Sequence, residues 1–307
     1  MSRYVTVGSV SELPVGADFE SRHDHAAAML QRAARLGAQV VAFPETYHHT
    51  GLPGICEEQA QPLDGASLTR MAGEARRHGV HLVWPLYTRE EGRIYNSSVL
   101  LGPGGERIGV YHKMFPTDGE IESGITPGDG PRVFETPLGR FGMTICFDMN
   151  FPEIMQGTAD AGAEVIFFSS AYRGGRQACI WAFLTGAYIV SAILGQDGQI
   201  VDLSGRPLVE STYEALITRR INLDRTLLHM DYNWNKMDDI LARYGPQVSM
   251  DFFTPEAVWA IGSESDEFSV EDIIREFGLE KRADYFERSR RLRREALQRA
   301  QPSPTRG

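Results

Sequence analysis

The sequence is poor in cysteine and in long apolar runs, and each shortage excludes a class of protein. Its three cysteines, Cys56, Cys146 and Cys179, lie far apart, and none belongs to a C-x-x-C pair. A disulfide framework or a zinc knuckle needs closer spacing, so we expect reduced thiols in a cytoplasmic protein. No stretch approaches the ~18 apolar residues of a membrane span, and the first ten residues, MSRYVTVGSV, lack a signal-peptide core. We therefore expect a soluble, non-secreted protein that has no membrane partner.

Positive charge is also scarce. The chain has 31 Lys and Arg against 41 Asp and Glu, a formal net charge of −10, which argues against nucleic acid as a partner because phosphate binding needs a basic surface. Residues 281–307 are the exception, with nine Lys and Arg against three Asp and Glu. The apolar residues of this segment are spaced as on one helix face: Tyr285, Phe286, Leu292 and Leu297. This pattern predicts a helix that docks on the body of the protein or on an acidic partner subunit.

The remaining pattern is that of a layered α/β protein. Hydrophobic residues make up 42% of the 307 residues, which is ordinary for a globular chain. Short apolar runs alternate with helical periods, and Gly-Pro turns separate the runs in the middle of the chain, which predicts a mixed sheet covered by helices. We expect one continuous domain over residues 1–225 and a partly helical, irregular extension over residues 226–307.

Three reactive side chains stand at the ends of predicted strands. Glu45 closes the run VVAFPE, Lys113 closes IGVYHK, and Cys146 closes FGMTIC. Because ligands of open α/β sheets bind outside the carboxyl ends of the strands, these three side chains are expected to meet in one pocket. Cys56, in a loop rich in Gly and Pro, and Cys179, inside a predicted helix, have no such position.

A carboxylate, an ammonium and a thiol together form a coherent hydrolytic set. The thiolate of Cys146 is the nucleophile, and the ammonium of Lys113 favours its formation. The carboxylate of Glu45 takes the thiol proton, gives it to a leaving amine and then activates water. The ammonium and the backbone N–H of Phe147 stabilise the oxyanion. The residues thus predict a cysteine hydrolase that uses no histidine.

The motifs Phe-Pro-Glu45, Tyr-His-Lys113 and Ile-Cys146-Phe-Asp-Met-Asn-Phe-Pro-Glu153 resemble those of the nitrilase superfamily of carbon–nitrogen hydrolases. The resemblance extends over about residues 3–225. It implies a four-layer α-β-β-α sandwich, a Glu-Lys-Cys triad that works without a cofactor, and a thioester on Cys146. It also implies a homodimer or larger homo-oligomer.

The family usually carries a second glutamate in the loop after the lysine. Glu120 and Glu122 both qualify, and Glu122 is preferred because Glu-Ser before Pro-Gly is closest to the family pattern. Phe147-Asp148 replaces the Trp-Glu that is typical of true nitrilases, and Asn150-Phe-Pro-Glu is similar to the amidase and carbamoylase branches. The expected substrate is a small linear amide or N-carbamoyl compound. A nitrilase and a non-catalytic binding subunit that retains the fold are the alternatives.

Substrate contacts are expected beside the strand ends. Tyr47 follows Glu45, Phe147 follows the nucleophile, and Tyr172-Arg173 follow the strand EVIFFSS. The guanidinium of Arg173, with Arg176, would bind a substrate carboxylate, unless both arginines pair with surface carboxylates. The pairs His48-His49 and His23-x-His25 have no further ligand at metal-binding spacing, so we expect no metal.

Overall fold

The computed structural model describes residues 3–300 of the chain. These residues divide into two compact units, one of residues 4–221 and one of residues 222–300 together with Arg3. The second unit begins close to the boundary expected at residue 225.

The first unit is built on two six-stranded mixed sheets. The first sheet has the order β12-β1-β2-β3-β4-β5, with the bounds Leu216–Asn222, Tyr4–Val10, Val40–Ala42, His81–Glu90, Arg93–Leu101 and Arg107–His112. The second has the order β11-β10-β9-β8-β7-β6, with the bounds Pro207–Glu210, Gln199–Val201, Tyr188–Ile193, Val165–Ser170, Gly139–Ile145 and Val133–Thr136. Parallel pairs, β1 to β3 and β7 to β9, are flanked by antiparallel hairpins in both sheets.

Helices cover the outer face of each sheet, which confirms the predicted α-β-β-α sandwich. The helices of this unit are α1 to α6: Phe19–Arg35, Cys56–Gln59, Ala66–His78, Asp118–Glu122, Pro152–Asp160 and Gly175–Thr185. Leu30 of α1 and Met71 of α3 share a buried cluster with Trp84 of the first sheet. Met155 of α5 and Ala178 of α6 do the same with Phe168 of the second sheet.

The inner faces of the two sheets are linked by polar groups. The hydroxyl of Ser9 donates to the carbonyl of Ser191 at 2.6 Å, and the hydroxyl of Ser169 donates to the carbonyl of Phe43 at 2.8 Å. Both bonds are buried and join one sheet to the other. They hold the end of β2 against the end of β8, next to the position where Glu45 leaves the first sheet.

The second unit contains a sheet that the sequence analysis did not predict. Strands β13 to β15, Arg225–His229, Val248–Phe253 and Val258–Ser263, pair antiparallel in the order β13-β15-β14. The central strand β15 is buried at every position, since helices α7 (Met237–Tyr244) and α8 (Val270–Phe277) contribute to the same core. The segment is partly helical, as expected, but the sequence analysis described the remainder as irregular and did not identify these strands.

The basic segment forms the predicted helix, α9, at Arg282–Ala300. Phe286, Leu292 and Leu297 on this helix are 40%, 46% and 50% exposed. Docking of this face on a partner subunit stays a prediction. Among residues 3–300, no helix combines the length and the apolar character that crossing a membrane would require.

Candidate active site

The strand ends bring Glu45 and Lys113 into direct contact. Glu45 follows β2 and Lys113 follows β5, so both lie at the same edge of the first sheet. The ammonium Nζ of Lys113 lies 2.8 Å from Oε1 of Glu45, and the two residues are only 1% and 5% exposed. A buried ion pair of this kind is costly to leave incomplete, so each charge needs further partners.

Cys146 reaches the same cluster from the second sheet. It follows β7 and opens a 3₁₀ turn, Cys146–Asn150. The carboxylate of Glu45 raises the pKa of its thiol and the ammonium of Lys113 lowers it, so the sulfur lies within electrostatic reach of both groups. Thus the three side chains that the sequence placed at strand ends lie together, although the positions are 68 and 33 residues apart along the chain.

The backbone at Cys146 is in an unusual conformation. Its φ is +49°, a left-handed region that L-residues other than Gly, Asn and Asp rarely adopt. The buried carboxylate of Asp148 holds this turn, because it accepts hydrogen bonds from the N–H of Ile145 at 3.0 Å, the N–H of Phe115 at 2.9 Å and the hydroxyl of Tyr111 at 2.7 Å. The backbone at Cys146 is therefore fixed by groups on both sides of the turn.

The electrostatics of the cluster keep the resting thiol protonated. Burial raises the pKa of the Cys146 thiol to about 11, and the carboxylate of Glu45 raises it as well, whereas Lys113 and the backbone N–H of Ala171 lower it. Burial by itself lowers the pKa of Lys113, but the nearby Glu45, Cys146 and Glu120 raise it above its ordinary value. At neutral pH the site accordingly holds an ammonium and a thiol that needs a base.

The second glutamate at the cluster is Glu120, and the preference for Glu122 was wrong. Oε2 of Glu120 lies 2.7 Å from Nζ of Lys113, whereas Glu122, two residues further along α4, is exposed. The hydroxyl of Thr117 caps α4, and the carboxylate of Glu120 folds back to accept from the N–H of Thr117 at 2.7 Å. This capping box, Thr-x-x-Glu, was the available signal in the sequence, since it fixes the direction of the third helical residue.

Asn96 is a site residue that the sequence analysis missed. It lies on β4, and its side-chain Nδ2 donates at 2.8 Å to Oε1 of Glu45 and at 2.8 Å to Oε1 of Glu120. The other oxygen of Glu45 accepts from the N–H of Ala171 at 3.0 Å. Each carboxylate is thus held by several donors, which fixes its orientation inside a water-poor site.

Tyr47 does not line the pocket, contrary to the sequence prediction. Its side chain is fully buried, its hydroxyl donates to Oε1 of Glu12 at 2.7 Å, and its ring packs on Phe43 and Trp84. The turn after Glu45 directs position 47 into the core between α1 and the first sheet.

Tyr172 and Arg173 lie in different surroundings. Tyr172 is half-buried; burial raises the pKa of its hydroxyl to about 12, and the electrostatic influence of Cys146 raises it as well. The side chain of Arg173 is 71% exposed, and its Nε lies 2.9 Å from Oδ2 of Asp197. Arg176 is exposed as well. Phe147 is half-buried, and its ring meets the ring of Phe151 edge-on at 5.2 Å.

Three histidines near the turn after Glu45 form a separate buried group. The ring of His48 lies 4.9 Å from His23 and 3.7 Å from His49, and it stacks on Trp84. Burial lowers the pKa of His48, and it lowers that of His49 to about 4, so these rings are neutral at pH 7. Within the described chain, no three metal-ligating side chains are arranged to hold an ion.

Most of the first unit matches a known protein family. Residues 6–189 match a family model described as carbon-nitrogen hydrolase. The chain is 28% identical over 173 residues to the omega-amidase NIT2 of Xenopus tropicalis, a match that covers 53% of this chain and 63% of that protein. It is 24% identical over 232 residues to the omega-amidase NIT2 of Mus musculus, covering 70% of this chain and 84% of the relative. The match thus spans less than two thirds of the first of these relatives.

Solved structures share the fold. An amidase from Nesterenkonia sp. superposes with a TM-score of 0.65 at 22% identity, covering 78% of this chain and 97% of that one. Nit3 of Saccharomyces cerevisiae, described as a member of branch 10 of the nitrilase superfamily, has a TM-score of 0.64 at 20% identity, covering 72% and 90%. At these identities the likeness establishes the architecture of the first unit.

Proposed function

The chain belongs to the carbon–nitrogen hydrolase family of the nitrilase superfamily, and from this premise we propose that it is a cysteine-dependent amidase. It cleaves the non-peptide C–N bond of a small linear amide or N-carbamoyl compound and releases ammonia or an amine. The observation that carries the proposal is the buried contact of Glu45 with Lys113, together with the influence of both groups on the pKa of the Cys146 thiol. In this reading the three residues are the catalytic triad.

The first half of the reaction forms a thioester. Glu45 takes the proton of the Cys146 thiol while the sulfur attacks the substrate carbonyl carbon, and the negative charge moves to the carbonyl oxygen. The ammonium of Lys113 and the backbone N–H of Phe147 stabilise that oxygen. When the intermediate collapses, the C–N bond breaks and Glu45 gives its proton to the departing nitrogen.

The second half consumes water. Glu45 removes a proton from a water molecule, which attacks the thioester carbon, and a second tetrahedral intermediate forms under the same stabilisation. The C–S bond then breaks, the acid leaves, and the sulfur regains its proton. The high pKa of the thiol supports this use of a base, because a group that is protonated at rest must lose its proton during the attack.

Glu120 and Asn96 act as positioning residues in this scheme. Both contact Glu45 or Lys113 through hydrogen bonds of 2.7–2.8 Å. They keep the ammonium of Lys113 protonated and fix the orientation of the Glu45 carboxylate. Charges that are preorganised in this way stabilise a transition state without further reorganisation.

An amide is favoured over a nitrile by two independent facts. The relatives of known description are omega-amidases and an amidase. In addition, Phe147-Asp148 stands where true nitrilases typically have Trp-Glu. Release of the acid and ammonia from an amide is therefore the expected activity.

The test is an ammonia-release screen over linear amides, N-carbamoyl amines and amino acids, and nitriles, with Cys146→Ala as the control. We expect equimolar acid and ammonia from amides or carbamoyl compounds and none from the control. Trapping by mass spectrometry should find the acyl group on Cys146. Turnover of nitriles with inert amides would establish a nitrilase. An active-site electrophile that labels Cys146 no better than Cys56 and Cys179, without turnover of any substrate, would establish a non-catalytic binding subunit.

A further inference from the structure

Tyr87 is an aromatic residue beside the site that the reaction scheme does not use. It lies on β3 directly opposite Asn96 of β4 in the antiparallel register. Directly opposed residues of an antiparallel pair project their side chains from the same face with Cβ atoms about 5 Å apart. Because Asn96 touches both Glu45 and Glu120, this register puts the ring of Tyr87 next to the two carboxylates.

The electrostatic surroundings of Tyr87 agree with that placement. Burial raises the pKa of its hydroxyl, electrostatic interaction with Cys56, Glu120 and Glu45 raises that pKa further, and Lys113 lowers it. The ring also meets His49 edge-on at 5.5 Å. Tyr87 therefore stands between the carboxylate side of the site and the loop that carries His49 and Cys56.

The hydroxyl of Tyr87 is available for a ligand. Tyr87 is half-buried, and within residues 3–300 its hydroxyl has no hydrogen-bond partner. Two other tyrosines near the site differ in this respect, since Tyr47 donates to Glu12 and Tyr111 donates to Asp148. A phenol without a partner next to buried charges keeps one donor and one acceptor free for a ligand.

The position of the departing nitrogen follows from the proposed function, on which this inference rests. Glu45 must come within hydrogen-bond reach of that nitrogen to protonate it. Any substituent on the nitrogen then extends on the side of the carboxylates, where Tyr87 stands. The acyl part extends from the carbonyl carbon on the side of Cys146 and Tyr172.

We propose that Tyr87 is a specificity-determining residue for the leaving group: its hydroxyl hydrogen-bonds to the departing amide nitrogen, and its ring limits the size of a substituent on that nitrogen. The preferred substrates are therefore primary amides and terminal carbamoyl groups, which release ammonia. Secondary amides with an N-alkyl group are excluded by the ring of Tyr87 rather than by the chemistry of the triad.

The experiment compares a primary amide with its N-methyl and N-ethyl derivatives in the full-length protein. Tyr87→Phe removes only the hydroxyl, and Tyr87→Ala removes the ring. Tyr95→Phe is the matched control, because Tyr95 is also on the β3–β4 hairpin, one residue from Asn96 and so on the opposite face, where its ring stacks on His112 at 4.1 Å. Thermal melting verifies that each variant is folded, and Tyr87→Leu replaces Tyr87→Ala if the latter is not.

We expect Tyr87→Phe to raise KM for the primary amide about fivefold, as for the loss of one hydrogen bond, with kcat within about twofold. We expect Tyr87→Ala to raise the ratio of N-methyl to primary amide kcat/KM by about tenfold or more. Tyr95→Phe should change neither quantity. An unchanged ratio in Tyr87→Ala, with a wild-type protein that hydrolyses primary amides, overturns this inference alone. A wild-type protein that hydrolyses no amide overturns the proposed function and this inference with it.

Discussion

The ammonium of Lys113 lies 2.7 Å from the carboxylate of Glu120, seven residues further along the chain. The short helix α4 makes this contact possible, because its capping box turns the side chain of Glu120 back toward the end of β5. Lys113 thus has two carboxylate partners, Glu45 and Glu120. Two negative charges around one cation keep that cation protonated in a site where burial would otherwise favour the neutral amine.

The first prediction separates the two glutamates of α4. Glu120→Gln should lower kcat on the order of a hundredfold, because it removes one of the two carboxylates that position Lys113 and keep it protonated. Glu122→Gln, the matched change on an exposed carboxylate of the same helix, should leave kcat within about twofold. Steady-state kinetics on one primary amide measures both. Equal kinetics of the two variants would remove Glu120 from the site.

The catalytic strand ends could be predicted from the sequence because the signal is local. An apolar run of strand length that ends in a reactive residue indicates both the element and its orientation, and Glu45, Lys113 and Cys146 all have this form. Helix α3, Ala66–His78, also follows a local signal, since its apolar period runs up to Gly79, which ends it in a left-handed conformation with φ +65°.

The remainder of the site depends on long-range pairing that a single sequence does not reveal. Asn96 reaches Glu45 only because β4 pairs with β3 in one particular register, and a shift by one residue would turn it to the other face. Tyr47 looked equivalent to a pocket residue, yet the turn after Glu45 sends its side chain into the core. Strand β13 pairs with β15 across α7 and β14, so this pairing is likewise non-local, whereas β14 and β15 form a local hairpin that the sequence analysis did not identify.

Tyr47 supplies the second prediction, which concerns stability. Tyr47→Phe removes the hydrogen bond to the charged Glu12 from a fully buried position, so the free energy of unfolding should fall by about 1–3 kcal/mol. KM should stay within about twofold, because the ring is part of the core. Denaturant unfolding and steady-state kinetics test the two statements. A large rise in KM with unchanged stability would show that Tyr47 contacts the substrate.

The third prediction concerns substrate charge. Arg173→Ala should change KM by the same small factor, within about twofold, for neutral amides and for amides that carry a carboxylate. The reason is that its guanidinium is 71% exposed and already paired with Asp197, and exposed ion pairs contribute little. Parallel KM measurements on two amides of equal length provide the comparison. A rise confined to the carboxylate-bearing amide would show that Arg173 turns toward the substrate.

The fourth prediction is an acid limit set by Asp148. Burial raises the pKa of Asp148 to about 6, although hydrogen bonds from Tyr111, Phe115 and Ile145 act in the opposite direction. Below about pH 6 the Asp148 carboxyl becomes protonated, and one of its oxygens then carries a hydrogen. One of the three groups that donate hydrogen bonds to Asp148 therefore loses its acceptor, which loosens the turn at Cys146. The ratio kcat/KM should therefore fall as the pH drops through about 6.

The free energy of unfolding depends on the protonation of Asp148 in the opposite direction to kcat/KM. Because the pKa of Asp148 is higher in the folded protein than its ordinary value of 3.8, the folded state binds the proton more tightly than the unfolded chain. The contribution of Asp148 to the free energy of unfolding thus falls as the pH rises from about 4 to about 6. Protonation of Asp148 on acidification therefore does not destabilise the folded protein. Tyr111→Phe removes a hydrogen bond that lowers the pKa, so it should move the acid limb of the profile to higher pH. An acid limb that stays in place in this variant would assign the limit to another group.

The last prediction distinguishes two effects of Glu45, its transfer of protons as a base and its influence on the pKa of the Cys146 thiol. Glu45 raises the pKa of Cys146 and Lys113 lowers it, so Glu45→Gln should lower the pKa of the thiol from about 11, and Lys113→Met should raise it. Both variants should nevertheless lose kcat on the order of a thousandfold, because the proton of the thiol must still reach the leaving nitrogen. Ultraviolet titration of the thiolate, with the Cys146→Ala signal subtracted to remove Cys56 and Cys179, measures the shift. A Glu45→Gln variant with a more ionised thiol and little turnover would show that ionisation alone is not sufficient. If that variant instead kept most of its activity, Glu45 would be an electrostatic neighbour and the proton would have to travel by another group.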